Sequence, residues 1–130
     1  MRVYVAATVG DLERLDEDGS FTPAEVYALS AALASSDPTV SEEEWEYHLT
    51  YVAADASLEL DHVDPRRVVI VAETDAVAMS GDDPARVAWE GDLSIDQVVA
   101  FLVDVAPDGE GIDYDDDLAW FATQELSDLV

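Results

Sequence analysis

Asp113, Asp115, Asp116 and Asp117 gather four carboxylates in one short stretch, and clustered hard oxygen donors of this kind suit a calcium ion. Asp113, Asp115 and Asp117 are accordingly the candidate metal ligands. Read as the first three ligands of an EF-hand loop, they put Leu118 where the sharp turn needs glycine and Gln124 where the bidentate glutamate belongs. A second fragment, from Asp16 through Asp18, Gly19 and Ser20 to Glu25, is similar to the same loop shortened by about two residues, which misplaces its closing glutamate. The favoured reading of both is a solvated acidic loop.

Nucleophilic and general acid-base chemistry have fewer handholds. His48 and His62 are the only histidines, and without cysteine they make a poor transition-metal site. His48 falls one helical turn after Glu44, an ordinary i,i+4 pair. Ser57 or Thr50 beside a His-carboxylate pair would have the right residue types, yet the chain has no G-x-S-x-G elbow, no P-loop and no G-x-G-x-x-G. Thirty-one acidic residues offer so many carboxylate pairs that none is nominated. The absence of cysteine also excludes disulfides, thiolate zinc sites and thiol nucleophiles. No catalytic residue and no cofactor is assigned.

Cations are scarce: five arginines and no lysine. Arg2 and Arg86 each immediately precede a predicted strand. In a ferredoxin-like order those strands are parallel neighbours, so both guanidiniums fall at one sheet edge and form a candidate anion site. Pairing with local carboxylates is the favoured alternative. Arg66 and Arg67 lie at the opposite end of the sheet, with the same reading.

The elements that would position these groups follow from patterning. Arg2 to Ala7 is a strand, and Thr8 with Asp11 caps a helix running through Leu15. Thr22, Pro23 and Glu25 supply the start signals of a second helix, with Val26, Leu29 and Leu33 on one face. Ser41 and Glu44 open the longest helix, apolar on two flanks (Trp45, Leu49, Val52 and Ala56; Tyr47, Tyr51, Ala54 and Leu58) and ended by Asp64-Pro65. Val68 to Ala72 is apolar without alternation, as in an interior strand covered on both faces. Arg86 to Glu90 reads as a strand, Ser94 and Gln97 as a capping box, and Val99 to Val105 as a further strand, with a helix running through Leu102 fitting nearly as well. Pro107 to Asp117 is an acidic loop, and Leu118 to Leu126 docks as a short strand or helix. The order predicts an α+β fold, a ferredoxin-like sandwich of βαββαβ order with a mainly antiparallel sheet and extra helices on one face. The fully apolar Val68 strand sits least comfortably in a one-faced sheet, so another small α/β sandwich is the alternative.

A formal charge of -26 on 130 residues outweighs any of these local motifs. The length fits a single domain, residues 1–130, which hides roughly two-thirds of the surface its unfolded chain exposes. With 49% apolar residues and three tryptophans the chain is expected to fold rather than stay disordered. Phosphate backbones and anionic membranes are repelled, so no direct nucleic-acid or membrane binding is expected, and cations and basic proteins remain as partners. No apolar run is long enough for a signal peptide or a bilayer span, which makes a cytoplasmic location the expectation.

Arg2-Val3-Tyr4-Val5-Ala6-Ala7-Thr8, Arg66-Arg67-Val68-Val69-Ile70-Val71-Ala72 and Leu118-Ala119-Trp120-Phe121-Ala122-Thr123-Gln124-Glu125-Leu126 together resemble a family of small uncharacterised actinobacterial proteins, a domain of unknown function. The resemblance spans nearly the whole chain, is most specific at its end and is least close over residues 20–38. It carries no activity, and it agrees with the GC-rich genome that the absence of both Lys and Asn suggests. The reading from sequence is a small acidic non-enzymatic domain that binds a protein partner, a basic protein being the candidate. Two alternatives stand beside it: a small-molecule binder or small enzyme with a pocket between sheet and helices, and a nucleic-acid mimic occupying a basic protein's groove. Oligomeric state is not legible.

Overall fold

The computed structural model describes residues 1–75, 78–79, 81, 83–105, 112, 114 and 117–130. Its centre is a six-stranded sheet built from β1 (Arg2–Ala7), β3 (Glu25–Ala28), β4 (Val68–Glu73), β5 (Arg86–Val87), β7 (Val98–Val103) and β8 (Ala119–Ala122). The order is β5-β3-β1-β4-β7-β8, and every pairing is antiparallel. Two short strands, β2 (Ser20–Phe21) and β6 (Leu93–Ser94), make a separate ribbon.

Both faces of the sheet are covered, and this explains the unbroken apolar runs. Val3, Val5 and Ala7 of β1 and Val68, Ile70 and Ala72 of β4 point to one side. There they meet Leu12 and Leu15 of α1 (Val9–Asp18), Phe21 and Leu93 of the ribbon, and Leu126 and Leu129 of α4 (Leu126–Leu129). Tyr4, Val69 and Val71 point to the other side and meet Leu49, Ala53 and Ala54 of α3 (Glu42–Glu59). Antiparallel strands usually alternate because one face is wet. Here neither face of β1 or β4 is, so Val68 to Ala72 is buried at every position.

Local signals set most boundaries. Thr8 and Asp11 form a reciprocal capping box at the start of α1, and Gly19 ends that helix in the left-handed region at φ 77°. Ser41 Oγ accepts from Glu44 N at the start of α3, where Glu42, Glu43 and Glu44 complement the helix dipole. The helix stops at Glu59, short of Asp64-Pro65. Ser94 and Gln97 form a capping box around one 3-10 turn (Ile95–Gln97), after which the chain becomes β7 rather than continuing as a helix. The end of the chain is strand and then helix: β8, a 3-10 turn (Thr123–Glu125) and α4. Among the described residues no helix is long and apolar enough to cross a membrane.

Three expectations need correction. The helix predicted from Thr22, Pro23 and Glu25 is strand β3, because Val26 and Tyr27 pair with Val5 and Tyr4 of β1 and are buried on opposite faces. Tertiary pairing overrides the capping signal. Helix returns only at the Ser30 cap of α2 (Ala31–Ser36). The ferredoxin-like strand order is not the one observed: the strand predicted over Arg86 to Glu90 shortens to Arg86–Val87 and pairs with β3 at the sheet's edge, while both neighbours of β1 run antiparallel to it. Helices also cover both faces instead of one, which is what the apolar β4 run demands. The coarser expectation, a mainly antiparallel sheet with several helices, is what the chain forms.

Candidate functional site

Arg2 and Arg86 lie on the α3 face of the sheet with β3 between them. Arg2 Nε donates to Glu73 Oε1 at 3.0 Å, directly across the β1-β4 ladder, and its Nη1 is 4.0 Å from Glu46 on α3. Arg86 Nη2 is 3.5 Å from Glu25 Oε1. Each guanidinium is half-exposed and held by its own glutamates, so the two form no joint anion cradle. The residues bridging them are tyrosines. Burial, and then the nearby Glu46 charge, push the Tyr4 phenol up to about 12. Tyr27 also rises to about 12 through burial and its hydrogen bond to Glu25 Oε2 at 2.8 Å.

Asp113 and Asp115 lie outside the described residues, and Asp117 accepts from Tyr51 Oη at 3.0 Å and Tyr47 Oη at 3.5 Å. The fragment from Asp16 to Glu25 is divided among the end of α1, the ribbon strand β2 and the start of β3. Among the described residues no three His, Asp or Glu side chains are placed to hold a metal ion. Nucleophile candidates are equally dispersed. Ser57 is buried, donating to Ala7 O at 2.6 Å and accepting from Val68 N at 3.0 Å. Nine residues along the same helix, roughly 13 Å of axial rise, separate it from His48. His48 sets its ring edgewise against Trp45 at 5.9 Å, Thr50 Oγ1 donates to Glu46 O, and His62 Nδ1 lies 2.7 Å from Leu60 O.

Arg67, read from the sequence only as pairing with local carboxylates, forms a buried ion pair with Asp104, a partner that reading did not name. Arg67 precedes β4 and Asp104 follows β7, and because Val68 pairs with Val103 the two flanking residues face each other. Their side chains are 4% and 2% exposed. Arg67 Nε and Nη2 each donate to one Asp104 oxygen at 2.9 Å, and the backbone N–H of Arg67 adds a third bond at 2.8 Å. This bidentate carboxylate raises the Arg67 pKa further above its ordinary value. The guanidinium also stacks on Tyr114 at 5.2 Å and Tyr51 at 5.9 Å, and Tyr114 Oη donates to Pro65 O. The sequence signal was present: an arginine and an aspartate immediately outside two apolar strands in antiparallel register.

Two surface features remain. An open groove of about 760 Å³ lies between the start of α1 and the segment after α3, lined by Thr8, Gly10, Arg14, Asp61, His62 and Asp64 among others. Several of its polar groups are already engaged: Thr8 in the α1 cap, Arg14 with Asp11, and Asp64 with both arms of Arg66, which holds the Asp64 carboxyl below its usual range. On the α3 side of the sheet, by contrast, aromatic rings face solvent: Tyr47 is 61% exposed and Trp120 63%. Tyr47 packs on Tyr51 at 4.9 Å, and burial raises the Tyr51 phenol.

The described residues therefore define an α+β domain with a two-sided core, a dispersed set of carboxylates and no assembled catalytic constellation. The model of a family of unknown function, DUF6912, matches residues 1–130, and the chain belongs to that family. No curated protein and no solved structure matches it.

Proposed function

We propose that this single domain is a non-enzymatic, cytoplasmic module that binds a basic protein partner, does not bind nucleic acid or membranes directly, and comes from a GC-rich actinobacterial genome. One observation carries the partner reading. Every one of the five guanidiniums is taken by a carboxylate of the same chain: Arg2 by Glu73, Arg14 by Asp11, Arg66 by Asp64, Arg67 by Asp104 and Arg86 by Glu25. No guanidinium stands apart from a carboxylate to attract an anion, and the field of the net charge of -26 speeds encounter with cationic surfaces and opposes anionic ones. The dispersed placement of Ser57, His48 and His62 supports a binding role over a catalytic one.

Calorimetric titration with an arginine-rich peptide and its glutamate counterpart tests this. Binding of the arginine peptide alone, strong at about 0.01 M salt and much weaker at about 0.15 M as the Debye length contracts, is expected. Failure to bind any cationic peptide at low salt would remove the reading.

A further inference from the structure

The two edges of the sheet are built differently. β5 contributes only Arg86–Val87, and Met79 already bridges to Val87 from outside. β8 ends the sheet at the other side, pairing through Ala119–Ala122 with β7, and among the described residues no strand pairs with its outer edge. Exposed edges are usually blunted by lysine, proline or inward-pointing charge. Leu118 to Ala122 has no charged residue and no proline.

What lies beside this edge is specific. Trp120 sits opposite Leu102 on the α3 side of the sheet. α3 packs over β1, β3 and β4, and Trp120, towards the sheet edge on the same face, is 63% exposed. Tyr51 ties the helix to the entry of β8: its Oη donates to Asp117 and accepts from Leu118 N at 3.1 Å. Glu43 and Asp55, both exposed, stand one turn beyond Tyr47 and Tyr51 at either end of the aromatic stripe. A second copy of this chain is the wrong occupant, since each copy brings a charge of -26 to the contact.

Resting on the basic-partner reading above, we propose that an extended, Arg- or Lys-bearing segment of the partner adds to β8 as a seventh strand, with one cationic side chain over the Trp120 ring. Main-chain hydrogen bonds to the outer edge of β8 supply affinity, while the chain's net charge of -26 and the indole face select for positive charge. The same surface charge keeps the edge from pairing with itself.

The test uses the full chain, labelled with nitrogen-15, and an octapeptide alternating Arg with Val or Thr. Two control peptides accompany it: the same sequence with Glu for Arg, and the Arg peptide N-methylated at alternate residues so that it keeps its charge but loses strand-pairing donors. We expect the Arg peptide to shift the amides of residues 118–122 and the Trp120 indole, and the Glu peptide to leave them unmoved. N-methylation should weaken binding roughly tenfold, and Trp120→Ala roughly fivefold with Trp120→Phe recovering part of the loss. Melting temperatures of the variants confirm that this exposed substitution leaves the fold intact. Equal affinity of the Arg peptide for the wild type and Trp120→Ala, unaffected by N-methylation, would overturn the β8 site while leaving the basic-partner reading standing. No binding of the Arg peptide at low salt would remove both. Dimers in sedimentation that dissociate on Trp120→Ala would show a second copy on this edge and overturn the proposal.

Discussion

Arg67 and Asp104 show how one buried polar pair sets a local reference for the whole sheet. Taking both charges out of water is costly, and their mutual attraction offsets this only because both carboxylate oxygens and the arginine backbone N–H are bonded. Arg67→Ala is expected to cost about 3–5 kcal/mol, since it strands a buried carboxylate. The double replacement Arg67→Met with Asp104→Leu should lose clearly less than the two single losses added together, and urea denaturation of the three variants measures the coupling. The buried phenols make a second prediction. Tyr4 and Tyr27 rise from 10.0 to about 12 in the folded chain, so the fold favours their neutral form. Their contribution is complete below pH about 10 and is lost as pH climbs from there towards 12. Alkaline unfolding followed by phenolate absorbance should fall in that window, and Tyr4→Phe should shift its midpoint to higher pH.

At the scale of elements, α3 is fixed to the sheet by a polar stitch as well as by packing. Ser57 bonds the last residue of β1 and the first of β4 from its place on the helix, in a site where neither backbone group meets water. Ser57→Ala leaves the Ala7 carbonyl and the Val68 N–H unpaired, and a loss of about 1–3 kcal/mol is expected by thermal or chemical denaturation. A loss near zero would mean that the two groups find other partners. The buried line of α3 runs through Leu49, Ala53, Ala54 and Ser57, between the two apolar flanks read from sequence. Patterning gave the helix its start but overran its end at Glu59, and small residues set the closest approach to the sheet, which hydropathy does not single out. The segment from Thr22 to Ala28 shows the converse. Its helix-start residues are genuine local preferences worth about 1 kcal/mol in isolation, outweighed by a four-residue ladder to β1 that buries Val26, Tyr27 and Ala28.

For the whole molecule, charge dominates. At about 0.01 M salt the Debye length is about 30 Å, and carboxylates across the domain repel one another; at about 0.15 M it is about 8 Å. Melting temperature should therefore climb with added salt, with each 1 kcal/mol of relieved repulsion worth roughly 4 °C. Differential scanning calorimetry across that range is the measurement, and a flat profile would mean that bound cations already neutralise the surface. Binding of the basic partner proposed above would relieve the same repulsion.

Composition and local pattern by themselves determined the net charge, the strands at Arg2 to Ala7 and Val68 to Ala72, the caps at Thr8, Ser41 and Ser94, and the long helix. Each of these depends on residues within one or two turns of each other, where backbone sterics and hydrogen-bond reach act directly. The two-sided core was only hinted at, in the unalternating β4 run. Strand order, the conversion of Glu25–Ala28 to strand, the separation of Arg2 from Arg86, the Arg67-Asp104 pair and the place of β8 at the end of the sheet were decided by the tertiary structure. These depend on which distant segments become neighbours, and that choice is made by burying apolar surface across the entire chain, a sum that no short window of residues contains.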